Sequence, residues 1–245
     1  ADAIEASGVP REQIFITTKL WCSDHGRKRT QRAIAQSLRA LRTDYIDLYL
    51  VHAPDNQGST PEEVRRLRKE SWEVMEEAHA AGTLRAIGVS NFEPRHIEAL
   101  LVEDSAPTAE AGERRASDNA KARNGKVRAD AAARPRAGAV VPAVNQIELH
   151  PLLEQREVLE YCARRGIVVE AYGAVGAGAV DQPQLVKVAE GLGRTPAQVS
   201  LRHTLQRSPA QVVVLAKSLT QARIDENLRI FDFEIDQEDI ATLDA

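Results

Sequence analysis

Three apolar runs in this sequence end on residues that can do chemistry. Leu48-Tyr49-Leu50-Val51 stops on His52, with Pro54 two residues on. Ile14-Phe15-Ile16-Thr17-Thr18 runs into Lys19, and Val212-Val213-Val214-Leu215 runs through Ala216 into Lys217 and Ser218. An imidazole changes charge near neutral pH, and an ammonium steadies negative charge close to it. A single ending of this kind is most often a solvated side chain. Three of them point to a fold that collects chemistry at one end of its strands. Further strand ends carry Ser90-Asn91, the segment from Gln146 to His150, and Tyr172.

Such groups need a regular frame, and the pattern supplies one. Strands are predicted at 14–19, 45–51, 84–90, 143–149, 167–172 and 212–216. Helical periodicity follows each of them, at 30–41, 60–81, 94–101, 154–165, 184–191 with 196–206, and 221–228, with a last helix at 237–243. Thr60-Pro61-Glu62-Glu63 is a helix start with a cap, a proline first and acids in the first turn. Gly82 and Gly166 are helix stops. Residues 1–6 read as the tail of a helix already under way, so residues are expected in front. Alternating βα units with β-branched strands imply a parallel sheet covered by helices. Six units fit either an open doubly wound sheet or a closed (β/α)8 barrel.

The 245 residues are 43% hydrophobic and 28% charged, an ordinary globular composition. A formal charge of −4 gives no electrostatic case for nucleic acid, and no apolar run approaches a membrane span. Cys22 and Cys162 form no CxxC and read as free thiols, which fits a reducing, cytoplasmic setting. No paired Cys/His spacing supports a metal. Gly176-Ala177-Gly178 lacks the third glycine of a dinucleotide fingerprint and reads as a flexible loop. His79, His96 and His203 fall in helical segments and read as structural or exposed. Residues 103–140 hold twelve Ala and six Arg, with Val127 and Val140 the only sizeable apolar side chains. That stretch cannot bury a face, so a mobile insertion is expected, with a helical piece around 129–134.

FITTKLW (15–21), SLRALRTDYIDLYLVHAP (37–54), IGVSNF (87–92), VNQIELHP (144–151) and AKSLTQARIDENL (216–228) together resemble the aldo-keto reductase family. Five collinear motifs are a specific signal, and the resemblance implies an α/β (β/α)8 TIM barrel, about six βα units of which lie in this chain. It also implies one barrel domain over 1–245, incomplete at its N-terminus and carrying the 103–140 insertion. The family reduces aldehydes and ketones to alcohols with NADPH, the cofactor carrying the hydride. Lys19 and His52 match the family's catalytic lysine and histidine; a lysine beside a phenol lowers its pKa, and the histidine orients the substrate carbonyl. Ser90, Asn91 and Gln146 match the partners of the nicotinamide carboxamide, and Tyr172 the aromatic stacked on its ring. Lys217, Ser218 and Arg223 match the residues on the adenosine 2′-phosphate, where Arg offers two donors. This is the basis for NADP(H). Glu226 and Asn227 match adenine-side contacts.

The resemblance places the family Asp and Tyr upstream of Lys19, but residues 1–18 hold only Asp2 and no Tyr. Asp2 falls in the helix tail and is not assigned. Tyr45, Tyr49 and Tyr161 read as core or surface residues. Trp21 matches a pocket aromatic, while Ala53 stands where many members carry Trp, which widens the substrate pocket. The first reading is thus an NADPH-dependent carbonyl reductase, a monomer acting on a small molecule without nucleic acid or membrane. The alternatives are a non-catalytic NADP(H)-binding subunit or redox sensor, and an inactive truncated product.

Overall fold

The structure, a computed structural model, describes residues 1–103, 135–176, 179–206 and 208–244. Its first half runs α1 (Asp2–Ser7), β1 (Thr17–Leu20), α2 (Arg27–Leu41), β2 (Ile46–Val51), α3 (Pro61–Ala80), β3 (Leu84–Ser90) and α4 (Pro94–Leu101). Its second runs β4 (Val144–Glu148), α5 (Arg156–Arg165), β5 (Val168–Tyr172), α6 (Pro183–Leu192), α7 (Pro196–Gln206), β6 (Val212–Leu215), α8 (Gln221–Leu228) and α9 (Gln237–Leu243).

The six strands form one sheet in chain order, β1 to β6, every neighbour parallel. Sequential parallel order with a helical crossover after each strand is the arc of a (β/α)8 barrel, not the reversed order of a doubly wound sheet. Among the described residues β1 and β6 each pair on one side only.

One face of the arc packs under the helices. Tyr49, Val51, Ile87, Val89, Ile147, Val169 and Ala171 meet Trp72 and Met75 of α3 and Leu159 and Cys162 of α5 in one buried cluster. Each large aliphatic side chain so buried contributes on the order of 1.5–3 kcal/mol. The opposite, inner face is tight around Gly88. A Cβ there would lie 2.6 Å from the Val144 carbonyl oxygen and 2.7 Å from Leu50 Cδ2, so only glycine fits.

At the amino ends of the strands a buried carboxylate ties three segments together. Asp47 Oδ2 accepts from the Ile16 amide at 3.0 Å and from Arg11 Nη2 at 2.7 Å, and Arg85 Nη1 stands 3.4 Å from Oδ1. Burial pushes this carboxyl up, but the amide and the two guanidiniums hold it below the usual range. The cluster also explains why the first strand starts at Thr17 and not at 14. Arg11–Gln13 is a 3-10 turn, and the Ile16 N–H is committed to Asp47 rather than to a strand ladder.

Helix ends follow local chemistry. Thr60 Oγ1 accepts from the Glu63 amide ahead of Pro61, and α5 stops on Gly166 at φ 68°. Residues 104–134, most of the alanine-rich stretch and all of its expected helical piece, lie outside the described residues, as do Ala177 and Gly178 of the glycine loop. The described residues after it are bound in: Arg136 Nη2 donates to Glu76 at 2.6 Å, and Trp72 Nε1 donates to the Val140 carbonyl at 3.2 Å.

Candidate active site

Parallel register brings the sequence-marked residues to one rim. Lys19 lies opposite Leu50, which lies opposite Gly88. Ser90 lies opposite Gln146, which lies opposite Glu170, and Glu148 opposite Tyr172. Side chains alternate along a strand, so Lys19, Ser90, Gln146, Glu170 and Tyr172 share the inner face near the carboxyl ends. His52 follows β2 directly, its amide donating to the Leu20 carbonyl at 3.0 Å.

Asn91 joins three of these strand ends. It sits at φ 61°, a left-handed conformation that asparagine tolerates better than most residues. Its amide N–H donates to the Gln146 carbonyl at 2.9 Å. Its side-chain Nδ2 donates to the His52 carbonyl at 3.0 Å, and its Oδ1 accepts from the Tyr172 hydroxyl at 2.9 Å. Ser90 Oγ donates to the Gln146 carbonyl at 2.8 Å. Gln146 Nε2 donates to the buried Glu170 carboxylate at 2.6 Å, which fixes the flip of that amide and leaves Oε1 as its acceptor.

The His52 ring is met edge-on by Trp21, with ring centroids 4.5 Å apart and planes at 82°. Burial lowers the His52 pKa, and the positive charge of Lys19 lowers it further. The imidazole is therefore neutral at pH 7, and one ring nitrogen can donate to an oxygen. Tyr172 is shifted the other way, first by burial and then by the charge of Glu148. Its hydroxyl stays protonated and committed to Asn91. Ala53 follows His52 half-buried and leaves the Trp21 face open, with Trp21 57% exposed.

A second cluster lies beyond β6. Lys217, Ser218, Arg223, Glu226 and Asn227 line one cleft of about 620 Å³ together with Thr195 of the α6–α7 turn. Glu226 is held by the Thr195 hydroxyl, and Ser218 Oγ accepts from the Thr220 amide at 3.1 Å. Among the described residues neither Lys217 nor Arg223 has a carboxylate partner. Two unpaired cations and a hydroxyl in a cleft of nucleoside size are a donor set that fits a phosphorylated adenosine.

Two residues that the sequence reading passed over matter here. Asn145 Nδ2 donates to the Phe92 carbonyl at 2.9 Å and pins the loop carrying Asn91. Glu170 holds Gln146 as described. The signal for both was a polar residue inside an apolar strand. Three of the four tyrosines make their contacts off this rim, and Tyr172 stands on it. Tyr161 donates to Glu98 at 2.8 Å, Tyr45 lies under Arg11 and Arg85, Tyr49 is buried among the helices, and Tyr172 is on Asn91. His96 and His203 stand in α4 and α7, and His79 Nδ1 meets the Leu84 carbonyl at 2.8 Å. Among the described residues no cluster of His, Cys, Asp or Glu could hold a metal ion, and no helix is long and apolar enough to cross a membrane.

A parallel arc in chain order, with polar side chains gathered on its carboxyl rim, is the arrangement in which (β/α)8 barrels carry their active sites. The model of the aldo/keto reductase family matches residues 1–245, and the chain belongs to that family. It is 36% identical to the glyoxal reductase of Bacillus subtilis over 243 residues, which are 99% of this chain and 71% of that protein. Among solved structures, an aldo/keto reductase from Brucella melitensis superposes with a TM-score of 0.76 at 33% identity, covering 99% of this chain and 77% of the other. MGS-M4, an aldo-keto reductase from a Medee basin deep-sea metagenome library, gives 0.75 at 30% identity, covering 99% and 74%.

Proposed function

We propose that this chain reduces small aldehydes and ketones with NADPH. The observation that carries the reading is the rim itself: a neutral His52 beside Lys19, with the Asn91 node linking its backbone to Tyr172. NADPH, when bound, supplies the hydride. Lys217, Ser218 and Arg223 would hold its 2′-phosphate, with Glu226 and Asn227 on the adenine. Ser90, Asn91 and Gln146 would meet the carboxamide, and Tyr172 the ring. His52 donates a hydrogen bond to the substrate carbonyl, and Lys19 steadies the negative charge that develops on that oxygen. Trp21 and Ala53 form an open wall, which suits small or bulky carbonyls alike. The name of the Bacillus subtilis relative makes glyoxal the first substrate to try. The setting proposed is the cytoplasm, in keeping with the free thiols of Cys22 and Cys162.

His52, whose pKa is lowered by burial and by the charge of Lys19, is the proton donor proposed for this chain. A donor of lowered pKa is charged only at acid pH. Turnover should therefore rise as the pH falls below the ordinary imidazole range, and His52→Gln should flatten that rise. NADPH oxidation with glyoxal and an aromatic aldehyde, followed from pH 5 to 8, tests this. A rate independent of pH in the native chain would refute His52 as the acid.

A second reading is a non-catalytic NADP(H)-binding subunit or sensor. NADPH binding without turnover at any pH would select it.

A further inference from the structure

We propose that the cleft between the first turns of α3 and α4 binds a small phosphate monoester. It holds about 610 Å³ and is lined by Asp55, Thr60, Arg65, Arg68, Arg95 and His96. That volume exceeds what a free oxyanion needs and falls in the range of small-molecule sites. Val64 and Ala99 add an apolar wall for the organic part of such a ligand.

Arg68 is the reason to expect an anion. It is 5% exposed and lies over the Phe92 ring, its guanidinium carbon 5.8 Å from the centroid. One nitrogen, Nη1, donates to the Pro54 carbonyl at 3.0 Å. Its Nε is buried with no hydrogen-bond partner, and no carboxylate forms an ion pair with it among the described residues. Asp55 lies near enough to act on this buried cation but makes no ion pair with it; a buried charge left unpaired is costly, and an oxyanion seated against it reduces that cost. Arg forks match phosphate oxygens two at a time.

The surroundings carry both signs. Burial lowers the Arg68 pKa, Asp55 opposes the shift, and Arg65 and Arg95 add to it. Burial likewise lowers that of His96, then Arg68 and Arg95, with Glu93 and Asp55 opposing. Arg65 and Arg95 do have carboxylates, Glu62 at 3.0 Å and Glu93 at 2.6 Å, but each of these four side chains is more than half exposed. Exposed pairs of this kind are weak, so both guanidiniums can turn to a ligand. The site is separate from Lys217 and Arg223, so it does not depend on the cofactor assignment. Asp55 of the β2–α3 loop lines it, three residues after His52.

The test uses the whole 245-residue chain carrying Arg223→Ala, which removes one cation from the other phosphate-sized cleft. Calorimetric titration compares glycerol 3-phosphate, inorganic phosphate and glycerol. The monoester should bind in this background and glycerol should not. Adding Arg65→Ala with Arg95→Ala should weaken the monoester at least about tenfold, since charge-assisted hydrogen bonds are lost. Both residues are exposed, so a thermal melt should show the fold intact. Arg68→Met, which loses the Pro54 contact as well, should abolish binding. The proposal fails if Arg223→Ala alone removes binding, if the double substitution leaves it unchanged, or if no heat appears across the millimolar range.

Discussion

His25 should make the fold acid-sensitive on its own. The ring is fully buried, and the tautomer is set by its neighbour. Asn56 Oδ1 accepts from the Gly58 amide at 2.9 Å, so Asn56 Nδ2 must be the group facing His25 Nδ1 at 3.0 Å. A donor there requires an acceptor, so Nδ1 is bare and the proton sits on Nε2. Protonating Nδ1 would set two donors against each other. Burial lowers the pKa of this ring from 6.5 to about 4, and the charges of Arg68 and Arg29 assist. The folded value lies below the unfolded one, so the unfolded chain takes up the proton first. The stability from the neutral ring is complete above the ordinary value and is lost as the pH falls from 6.5 toward 4. At pH 5 the loss is about 2 kcal/mol, against almost none at pH 7. His25→Asn keeps an amide oxygen for Asn56 and cannot titrate. Urea unfolding at pH 7 and pH 5 should show the native chain losing about 2 kcal/mol more than the variant between the two conditions. Equal losses in the two chains would refute the argument.

Arg223→Ala should weaken NADPH binding by about 10- to 100-fold and leave NADH nearly unchanged, because the lost bonds are those of a charged phosphate. Equal losses, measured by fluorescence titration of each cofactor, would remove Arg223 from the 2′-phosphate. Gly88→Ala should cost about 1–3 kcal/mol by overpacking, since the new methyl meets the Val144 carbonyl and Leu50 at once. A melting temperature equal to that of the native chain would contradict that reading of the inner face.

The elements that the sequence showed most clearly are those bounded by stiff or permissive residues. Leu84–Ser90, Pro94–Leu101 and Pro196–Gln206 stand as the pattern predicts, because proline opens both helices and an asparagine at positive φ ends the strand. The first strand was read three residues too early, since an apolar run does not reveal that Asp47, thirty-one positions away, takes the Ile16 amide. The rim residues were visible through their motifs. Their mutual bonds were not: whether Gln146 meets Glu170, or Asn91 meets Tyr172, depends on the stagger between strands, which periodicity does not encode. Arg68 was hidden for a related reason. In α3 it reads as one more arginine among several, and only the packed structure shows it buried.

The Asp47 cluster and His52 belong to the same strand and its immediate extension. Five residues at about 3.3 Å each separate them by about 16 Å. One end is an anchor, and the other, under the function proposed for it, a tool. Damage at Asp47, where three segments meet a single carboxylate, should be felt in a cell as scarcity: less folded protein, each molecule of it normally competent. Damage at His52 should be felt as idleness: normal amounts of protein that turns over slowly. Dividing activity by abundance across a set of substitutions would separate the two classes along the length of a single strand, and the position at which one gives way to the other would mark where holding the barrel ends and using it begins.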